Sequence, residues 1–585
     1  MAPEMEPSFF YISPFSAQNN VLFVISSNVN NRNYMENNMF CFQCQETANG
    51  KACTVKGVCG KSALLSNKMD LLMFVARGVA TVADSLCRKG RSSAAEVNKF
   101  ITDALTCTVT NTNFCQESII HRIKKGLAIR EKLKEQAREL NIALPYIPEV
   151  EWHGTFADEN NMREAQTGIT REKDVQVRSL KELITYGLKG ICAYHGHAMR
   201  LGYSDEKLHC FTLNALHRIS LNDISVMELT GLVIETGEQG LKVMELLDRA
   251  HTESFGHPQI TKVSTGVRDN PGILVSGHDL DDLYQLLEQT QGTGVDVYTH
   301  GEMLPGHYYP SLKKFRHFAG NYGNSWWEQC DELERFNGPV IFTSNCIVPP
   351  VEGNGYIDRM FTCNSSGYPG CRHIASDKFG KKDFSQIIAL ALKCNPPQKL
   401  EKGEITGGFA HEQLIDLMDI IGYAVKCGDI RKFVVMAGCD GRQKKRSYYS
   451  TFAQKLPHDC VIITAGCAKY RFNKLGLGDI NGIPRLLDAG QCNDVFSIVL
   501  IAKKLMEVLG VKNINSLPLA YNIAWYEQKA VIVLLALLSL GVRNIIVGPT
   551  LPAFMEGDIM DTLKNHFGIK GISSPDEDMR KLGIV

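Results

Sequence analysis

The sequence predicts a multidomain protein in which an all-α N-terminal region is followed by two α/β domains. The chain of 585 residues is long enough for about three or four domains at roughly 150 residues each. Residues 61–254 show helical periodicity with almost no strand signal, whereas short apolar runs alternate with helical segments after residue 255. We therefore divide the chain into an N-terminal extension (1–38), a front motif with helical bundles (39–254) and two α/β domains (255–400 and 401–585).

The overall charge and composition exclude several classes of protein. The chain carries 63 Lys and Arg residues against 63 Asp and Glu residues, and this neutral balance argues against nucleic acid or an anionic membrane as a partner. A hydrophobic content of 44% is ordinary for a globular protein and excludes a disordered or fibrous chain. The uncharged apolar stretch 530–542 is shorter than the ~20 residues that a membrane span needs, so we expect no association with membranes.

Residues 1–38 form an extension that is rich in Asn and Ser and contains a single basic residue, Arg32. Glu4 and Glu6 lie where a secretory signal peptide would carry its positive charges, so we expect no secretion signal. We predict that this segment is disordered and that the protein is cytoplasmic. An organelle-targeting peptide is the alternative, although such peptides are usually rich in Arg.

Nineteen cysteines are spread along the chain. An odd number in a long chain without a secretion signal is unlike the disulfide framework of a small secreted domain. We therefore expect reduced thiols, and the question becomes which of them hold metal.

Helical periodicity in the N-terminal half predicts two helical bundles in series. The apolar run 71–75 continues at Val79 and Val82 and makes one face of an amphipathic helix. A highly charged helix is predicted at 119–140, and a Pro-containing connector follows at 144–148. Further helices are predicted at 173–201, 205–219 and 225–250.

Short apolar runs that end in Gly, Cys or His mark the strands of the second half. Strands that alternate with helices form parallel sheets with both faces covered, so we predict two Rossmann-like α/β domains with mainly parallel sheets. The stretch 394–408, which contains Pro and Gly, is predicted to link them. The predicted strands are 273–275, 295–298 and 340–342 in the first domain, and 433–436, 461–463 and 544–547 in the second.

Four cysteines form a compact C-x2-C-x8-C-x5-C motif just after the extension, at Cys41, Cys44, Cys53 and Cys59. The C-x2-C pair lets two thiolates face one ion or cluster, and a glycine-containing loop can bring the other two back to the same point. Four thiolates suit Zn²⁺ as well as an iron–sulfur cluster, because both take tetrahedral sulfur ligation. On spacing alone the motif predicts an iron–sulfur cluster or structural zinc, with unligated thiols as the third alternative.

A second group of metal-ligating residue types lies just beyond the ends of predicted strands. Open α/β sheets place ligands at the carboxyl ends of their strands, and Gly before such a residue allows a sharp turn. Each residue alone is more often a packing or hydrogen-bonded residue, whereas the whole group points to a second metal site. The residues are His278, Glu302, Cys346, Cys439 and Cys467.

Other Cys and His residues are predicted to have structural roles. His195 and His197 are interpreted as residues of local helix capping rather than metal ligands. The chain contains no phosphate-binding loop and no G-x-S-x-G nucleophile elbow. Five cysteines on helical stretches are predicted to pack in the core: Cys87, Cys107, Cys192, Cys210 and Cys427.

Seven further motifs accompany the front motif, which reads C-F-Q-C-Q-E-T at 41–47. They are V-S-G-H-D (275–279), T-H-G-E-M (299–303), T-S-N-C (343–346), A-G-C-D (437–440), G-C-A-K-Y (466–470), G-Q-C-N-D (490–494) and W-Y-E-Q-K (525–529). In this order the motifs resemble those of the hybrid-cluster (prismane) proteins, a family also called hydroxylamine reductases. The resemblance covers nearly everything from Met39 to Val585, and the compact front motif is similar to that of the members with a cubane [4Fe-4S] cluster.

The resemblance implies two iron–sulfur centres and two three-helix bundles in the helical region. Cys41, Cys44, Cys53 and Cys59 would hold the cubane [4Fe-4S] cluster. A hybrid [4Fe-2O-2S] cluster would be held by His278, Glu302, Cys346, Cys439, Cys467, Cys492 and Glu527, with Cys439 able to carry a persulfide.

The resemblance further implies an oxidoreductase that reduces hydroxylamine to ammonia and water, with nitric oxide as another candidate substrate. Glu302, Glu527 and Lys529 are its candidate proton or hydrogen-bond partners, and the cubane would relay electrons. The sequence shows no flavin or nicotinamide domain, so we expect a separate electron-donor protein, a ferredoxin or a reductase. Such an activity would serve nitrogen metabolism and the response to nitrosative stress.

Two other functions remain as alternatives. A carbon monoxide dehydrogenase-like enzyme would have similar α/β domains, and its nickel would distinguish it. A redox sensor or protein S-nitrosylating factor would use the same cluster, and thiol modification of a partner protein would distinguish it from hydroxylamine turnover.

Overall fold

A computed structural model of the chain describes residues 39–154, 164–443 and 446–585. The prediction of disorder for residues 1–38 concerns a segment outside the described residues. Within the described part of the chain, no helix is both long and apolar enough to cross a bilayer.

Long helices dominate the N-terminal part, as the periodicity predicts. The helix Val226–Phe255 begins with a capping box, in which Ser225 and Glu228 satisfy each other's free backbone N–H groups. Among the described residues, the α-helices longer than four residues are α1 (Ala63–Cys87), α2 (Ala95–Cys107), α3 (Gln116–Glu139), α4 (Val175–Arg200), α5 (Glu206–Ser220), α6 (Val226–Phe255), α7 (Leu280–Thr290), α8 (Gln329–Arg335), α9 (Ser385–Ala391), α10 (His411–Asp416), α11 (Met418–Cys427), α12 (Tyr448–Lys455), α13 (Phe496–Leu509), α14 (Gln528–Ser539), α15 (Asp558–Phe567) and α16 (Pro575–Lys581).

The strands lie after the helical region. Among the described residues the first strand begins at residue 261, which confirms a helical N-terminal region followed by an α/β part. The strands are β1 (Thr261–Ser264), β2 (Gly272–Ser276), β3 (Asp296–Thr299), β4 (Phe318–Asn321), β5 (Val340–Phe342), β6 (Met360–Cys363), β7 (Arg372–Ile374), β8 (Glu404–Gly407), β9 (Lys432–Val435), β10 (Cys460–Thr464), β11 (Asp479–Ile480), β12 (Ile483–Pro484), β13 (Leu486–Asp488), β14 (Leu519–Ala524), β15 (Ile545–Gly548) and β16 (Lys570–Gly571).

Two six-stranded sheets organise this part, and their neighbouring strands are parallel. The first sheet has the order β4-β3-β2-β5-β6-β7, and the second has the order β13-β10-β9-β14-β15-β16. In each sheet the order reverses at one point, between β2 and β5 in the first and between β9 and β14 in the second. Open α/β sheets bind ligands outside the carboxyl ends of the strands at such points.

The predicted linker 394–408 is not free of regular structure. It contains β8, which pairs antiparallel with β1 so that Thr261 lies opposite Gly407. This two-stranded ribbon ties the end of the helical region to the start of the second sheet's segment.

Helix α14 packs closely against the helices α4 and α6 of the N-terminal region. A Cβ atom added at Gly190 would lie 2.4 Å from Ile532, and one added at Gly240 would lie 2.5 Å from the same side chain. Glycine at these positions therefore permits the close approach of the helices. The helical region and the second sheet share one hydrophobic core as a result.

Predictions about individual Cys and His residues are confirmed only in part. His195 and His197 lie inside α4 and are buried. Nε2 of His195 accepts a hydrogen bond of 3.2 Å from the backbone N–H of Asp205, the residue that caps the start of α5, whereas His197 contacts Asp279 at 3.1 Å. Cys427 is exposed at the end of α11, because the apolar face of that short helix does not include it. Cys107 and Cys192 are buried as predicted, whereas Cys87 and Cys210 are only half-buried.

Candidate metal centres

The carboxyl ends of the central strands carry the candidate ligands of the second site. Gly438, with φ 106°, precedes one of them, and a Cβ atom added there would lie 1.8 Å from the carbonyl oxygen of Ala524. Only glycine allows this backbone to pass so close to β14. His278 follows β2, Glu302 follows β3, Cys346 follows β5, Cys439 follows β9 and Cys467 follows β10.

His278, Glu302 and Cys492 form a buried cluster of ligating atoms that all lie within 4.8 Å of one another. The His278 Nε2 atom is 3.8 Å from Oε2 of Glu302. That oxygen accepts a hydrogen bond of 2.7 Å from the backbone N–H of Cys492, whereas Oε1 of Glu302 is buried without a hydrogen-bond partner among the described residues. A buried carboxylate oxygen normally has a partner, and a metal would supply one here.

Lys529 connects this cluster to Glu527. Its buried Nζ atom lies 3.0 Å from Nε2 of His278, 3.3 Å from Sγ of Cys492 and 4.0 Å from Oε1 of Glu527. Asn345 donates a hydrogen bond of 3.4 Å to the same Glu527 oxygen, and the other oxygen caps the start of α14 by accepting from the Lys529 backbone N–H at 2.8 Å. Two carboxylates, an imidazole and a thiol are thus grouped around one ammonium.

The three remaining thiols contact an aromatic cluster formed by Trp326, Trp327 and Tyr526. Cys346 has φ 83°, a left-handed conformation that side chains with a Cβ atom rarely adopt. Such strain persists where the surroundings fix a residue for a purpose, which is consistent with ligation. The thiols that contact the cluster are Cys346, Cys439 and Cys467.

Burial sets the protonation of the ionisable groups at this site. It lowers the pKa of His278 well below its usual value, with the Lys529 charge adding to the effect, so the imidazole is neutral. Burial raises the pKa of Glu302 and of Glu527. Burial alone would lower the pKa of Lys529, but the neighbouring Cys492 and Glu527 charges outweigh it and raise that pKa, so the ammonium persists.

The four cysteines of the front motif line one cavity, together with Met39, Met69 and Tyr186. Cys41 and Cys53 exchange two backbone hydrogen bonds, of 3.0 and 2.8 Å, which bring the two halves of the motif together. The backbone N–H of Ala48 donates to Sγ of Cys53 at 3.4 Å, a contact that stabilises a thiolate. All four thiols are free, and burial raises the pKa of Cys41 to about 12. The donor set and its enclosure fit a thiolate-bound metal centre.

The front motif lies directly against the segment that carries Glu527. The backbone N–H of Gln45 donates to the carbonyl oxygen of Tyr526 at 2.9 Å. The side chain of Gln528 donates to the carbonyl oxygen of Gln43 at 3.0 Å, and the Tyr526 hydroxyl donates to Glu46 at 3.0 Å. One loop therefore contacts both thiol-rich sites.

Sequence reasoning missed several supporting side chains. The Oγ atom of Ser344 lies 2.9 Å from Nδ1 of His278, and Asn345 contacts Glu527. Both precede Cys346 directly, so their place in the T-S-N-C motif was an available signal. The Tyr194 hydroxyl donates to the carbonyl oxygen of Cys492 at 3.0 Å from helix α4, and no sequence pattern indicated that contact.

The fold and these two thiol-rich sites are those of a metalloprotein class, with candidate ligands at the ends of parallel strands and in an N-terminal loop. More particularly, the chain belongs to the Prismane/CO dehydrogenase family, whose family model matches residues 39–580.

Full-length relatives agree with that assignment, and a solved structure shares the fold. The chain is 56% identical over 549 residues to a hydroxylamine reductase of Porphyromonas gingivalis, which covers 94% of this chain and 100% of that protein. It is 56% identical over 547 residues to a hydroxylamine reductase of Bacteroides fragilis, covering 93% and 99% of the two chains. The structure of carbon monoxide dehydrogenase IV from Carboxydothermus hydrogenoformans is similar with a TM-score of 0.53 at 16% identity, covering 93% of this chain and 91% of that one. That likeness concerns the fold.

Proposed function

We propose that this protein is an iron–sulfur hydroxylamine reductase, which converts hydroxylamine with two electrons and two protons into ammonia and water. The observation that carries the proposal is the buried cluster of His278, Glu302 and Cys492, with its unpartnered Glu302 oxygen. The 56% identity to hydroxylamine reductases over nearly the whole chain supports the same activity.

The proposed ligand sets follow the chemistry of the donor atoms. Thiolates favour the sulfide-rich part of an iron cluster, whereas carboxylate and imidazole favour harder, oxygen-bridged iron. Cys41, Cys44, Cys53 and Cys59 hold a [4Fe-4S] cluster in this proposal. His278, Glu302, Cys346, Cys439, Cys467, Cys492 and Glu527 hold a hybrid [4Fe-2O-2S] cluster, with Cys439 as the candidate persulfide.

The residues around the second site bind and orient the substrate and hold protons for it. When bound, the clusters supply single electrons and Lewis-acidic iron for an N–O compound. The Lys529 ammonium holds a proton at Nζ within 4.0 Å of Glu527, so it can donate to a leaving oxygen or nitrogen. Glu302 and Glu527, whose pKa values are raised by burial, are the groups that can pass further protons. The aromatic cluster beside the thiols excludes water from this face.

The finer architecture and the cellular setting belong to the same proposal. The helical region consists of two three-helix bundles, the two sheets form Rossmann-like domains, and the boundaries lie near residues 38, 254 and 400. A separate ferredoxin or reductase supplies the electrons, and the protein acts in the cytoplasm. Nitric oxide is the second candidate substrate.

A carbon monoxide dehydrogenase-like activity is the competing function, and the TM-score of 0.53 to such an enzyme is the observation that favours it. Anaerobic purification followed by iron, sulfide and nickel counts separates the two. We expect iron and sulfide without nickel, together with ammonia formation from hydroxylamine and a low-potential reductant.

The Glu302→Gln variant sharpens this experiment, because the amide keeps the side-chain volume and loses the charge at the unpartnered oxygen. It is expected to lose ammonia formation, whereas Cys427→Ser, at an exposed position, keeps it. Stoichiometric nickel with carbon monoxide oxidation would overturn the proposal.

A further inference from the structure

The antiparallel ribbon of β1 and β8 places two histidines opposite each other outside the cluster sites. Thr261 lies opposite Gly407 in the ribbon, so residues that precede Thr261 face residues that follow Gly407. His257 lies four residues before Thr261, and His411 lies four residues after Gly407, so both lie beyond the same end of the ribbon. Their rings are 5.5 Å apart between centroids, at an angle of 81°.

Glu412 adds a carboxylate to the two imidazoles. The ligating atoms of His257, His411 and Glu412 all lie within 4.8 Å of one another, and Nδ1 of His257 is 4.0 Å from Oε2 of Glu412. Tetrahedral Zn²⁺ with bonds of about 2.0–2.1 Å requires its ligand atoms roughly 3.4 Å apart. The side chains of His257 and Glu412 are 47% and 51% exposed. Small rotations of these side chains can therefore bring the ligand atoms to the separation that zinc requires without disturbing the core.

The third residue of the cluster, His411, is held in place by its neighbours. It is buried, and its Nδ1 atom lies 3.1 Å from Oγ of Ser497 and 3.7 Å from a carboxylate oxygen of Asp248. The hydrogen bond with Ser497 engages Nδ1 and leaves Nε2 for a metal, which is the usual support of a metal-binding histidine. The cluster therefore has one fixed residue and two adjustable residues at the surface.

We propose that His257, His411 and Glu412 bind a divalent first-row transition cation of the Zn²⁺ type. Two imidazoles and one carboxylate suit such a cation, whereas Mg²⁺ and Ca²⁺ prefer a set made of oxygen atoms. A water molecule completes the coordination, because two of the three ligands are exposed. The metal joins the connector after α6 to the first residue of α10, and it thereby locks the ribbon between the helical region and the second sheet. This site is separate from both iron–sulfur centres and does not depend on the proposed function.

Zinc binding is best measured by anaerobic equilibrium dialysis of the holoenzyme against buffered Zn²⁺, with elemental analysis of zinc per chain. The test variant is the double substitution His257→Ala with Glu412→Gln, since both residues are exposed and outside the cluster sites. The matched control is His458→Ala, which removes another exposed histidine. Zinc that binds to surface thiols is expected equally in the wild type, the double variant and His458→Ala. The measured quantity is therefore the difference in zinc content between these proteins.

We expect the wild type and His458→Ala to bind one zinc per chain more than the double variant. Ser497→Ala, which removes the hydrogen-bond partner of His411 Nδ1, is expected to weaken that site by at least about tenfold, as for other partners of metal-binding histidines. Zn²⁺ should also raise the Tm of the wild type but not of the double variant, with Mg²⁺ raising neither. Equal zinc content and equal Tm shifts in the wild type and the double variant would overturn the proposal.

Discussion

Replacing Lys529 by Met tests the proposed proton donor directly. Methionine keeps the length and apolar volume of the lysine stem and removes only the charge and the N–H donors. The ammonium lies 4.0 Å from Oε1 of Glu527, and two unit charges at that distance interact by about 4 kcal/mol at an effective dielectric constant near 20. A positioned proton donor typically contributes about 10²–10⁴-fold in rate, or roughly 3–5 kcal/mol. Both considerations lead us to expect a fall in kcat of about a hundredfold or more.

The assay follows ammonia formation from hydroxylamine with a low-potential one-electron dye, alongside the EPR signals of the two centres. Lys432→Met is the matched control, because Lys432 is half-buried at the amino end of β9, the end opposite Cys439, and its ammonium donates to the carbonyl oxygen of Leu582 at 3.0 Å. That control should keep its turnover. If Lys529→Met turned over at the wild-type rate with both EPR signals intact, the assignment of Lys529 as proton donor would be refuted.

Three further predictions separate the roles of the proposed ligands. Cys41→Ser or Cys44→Ser should remove the cubane EPR signal and leave the hybrid-cluster signal, because the two ligand sets lie in different parts of the chain; loss of both signals from a folded protein would argue for one shared site. Glu527→Gln should abolish turnover while total iron, measured by elemental analysis, falls only modestly; near wild-type activity would remove Glu527 from the site. The Cys439 peptide of oxidised protein should gain the mass of one sulfur atom, and Cys439→Ser should alter only the hybrid cluster and slow turnover, whereas Cys427→Ser should change little; the reverse pattern would contradict the placement of ligands at strand ends.

The parallel sheets and the ends of their strands could be predicted because both signals are local. A short apolar run such as 340–342 forms a strand that is paired on both sides and buried. The residue that follows such a strand lies at its carboxyl end, where parallel sheets bind ligands, and this does not depend on the rest of the fold. Cys346, Cys439 and Cys467 could be singled out for that reason, although the aromatic cluster that they contact left no pattern in the sequence.

Contacts between distant residues could not be predicted from local patterns. The ribbon of β1 and β8 joins strands about 140 residues apart, and β8 is too short and too polar to stand out within its linker. The same holds for His197, whose partner Asp279 is 82 residues away. Cys427 was misassigned because helical periodicity places a residue on a helix but does not say which face another element will cover.

The contacts of the front motif also determine the stage of protein synthesis at which its final surroundings can form. Glu46 pairs with Arg442 and Tyr526, and Gln43 accepts from Gln528, so partners 396, 480 and 485 residues apart along the chain meet at this loop. Chains fold from the N-terminus as they emerge from the ribosome, and contacts of such long separation form last. The outer contacts of this loop, to Arg442, Tyr526 and Gln528, are therefore completed only when nearly the whole polypeptide has been made. A nascent chain arrested before Arg442 would leave Glu46 and Gln43 without these partners, although the residues that line the cavity around the four thiols, all within 39–189, would already have been translated.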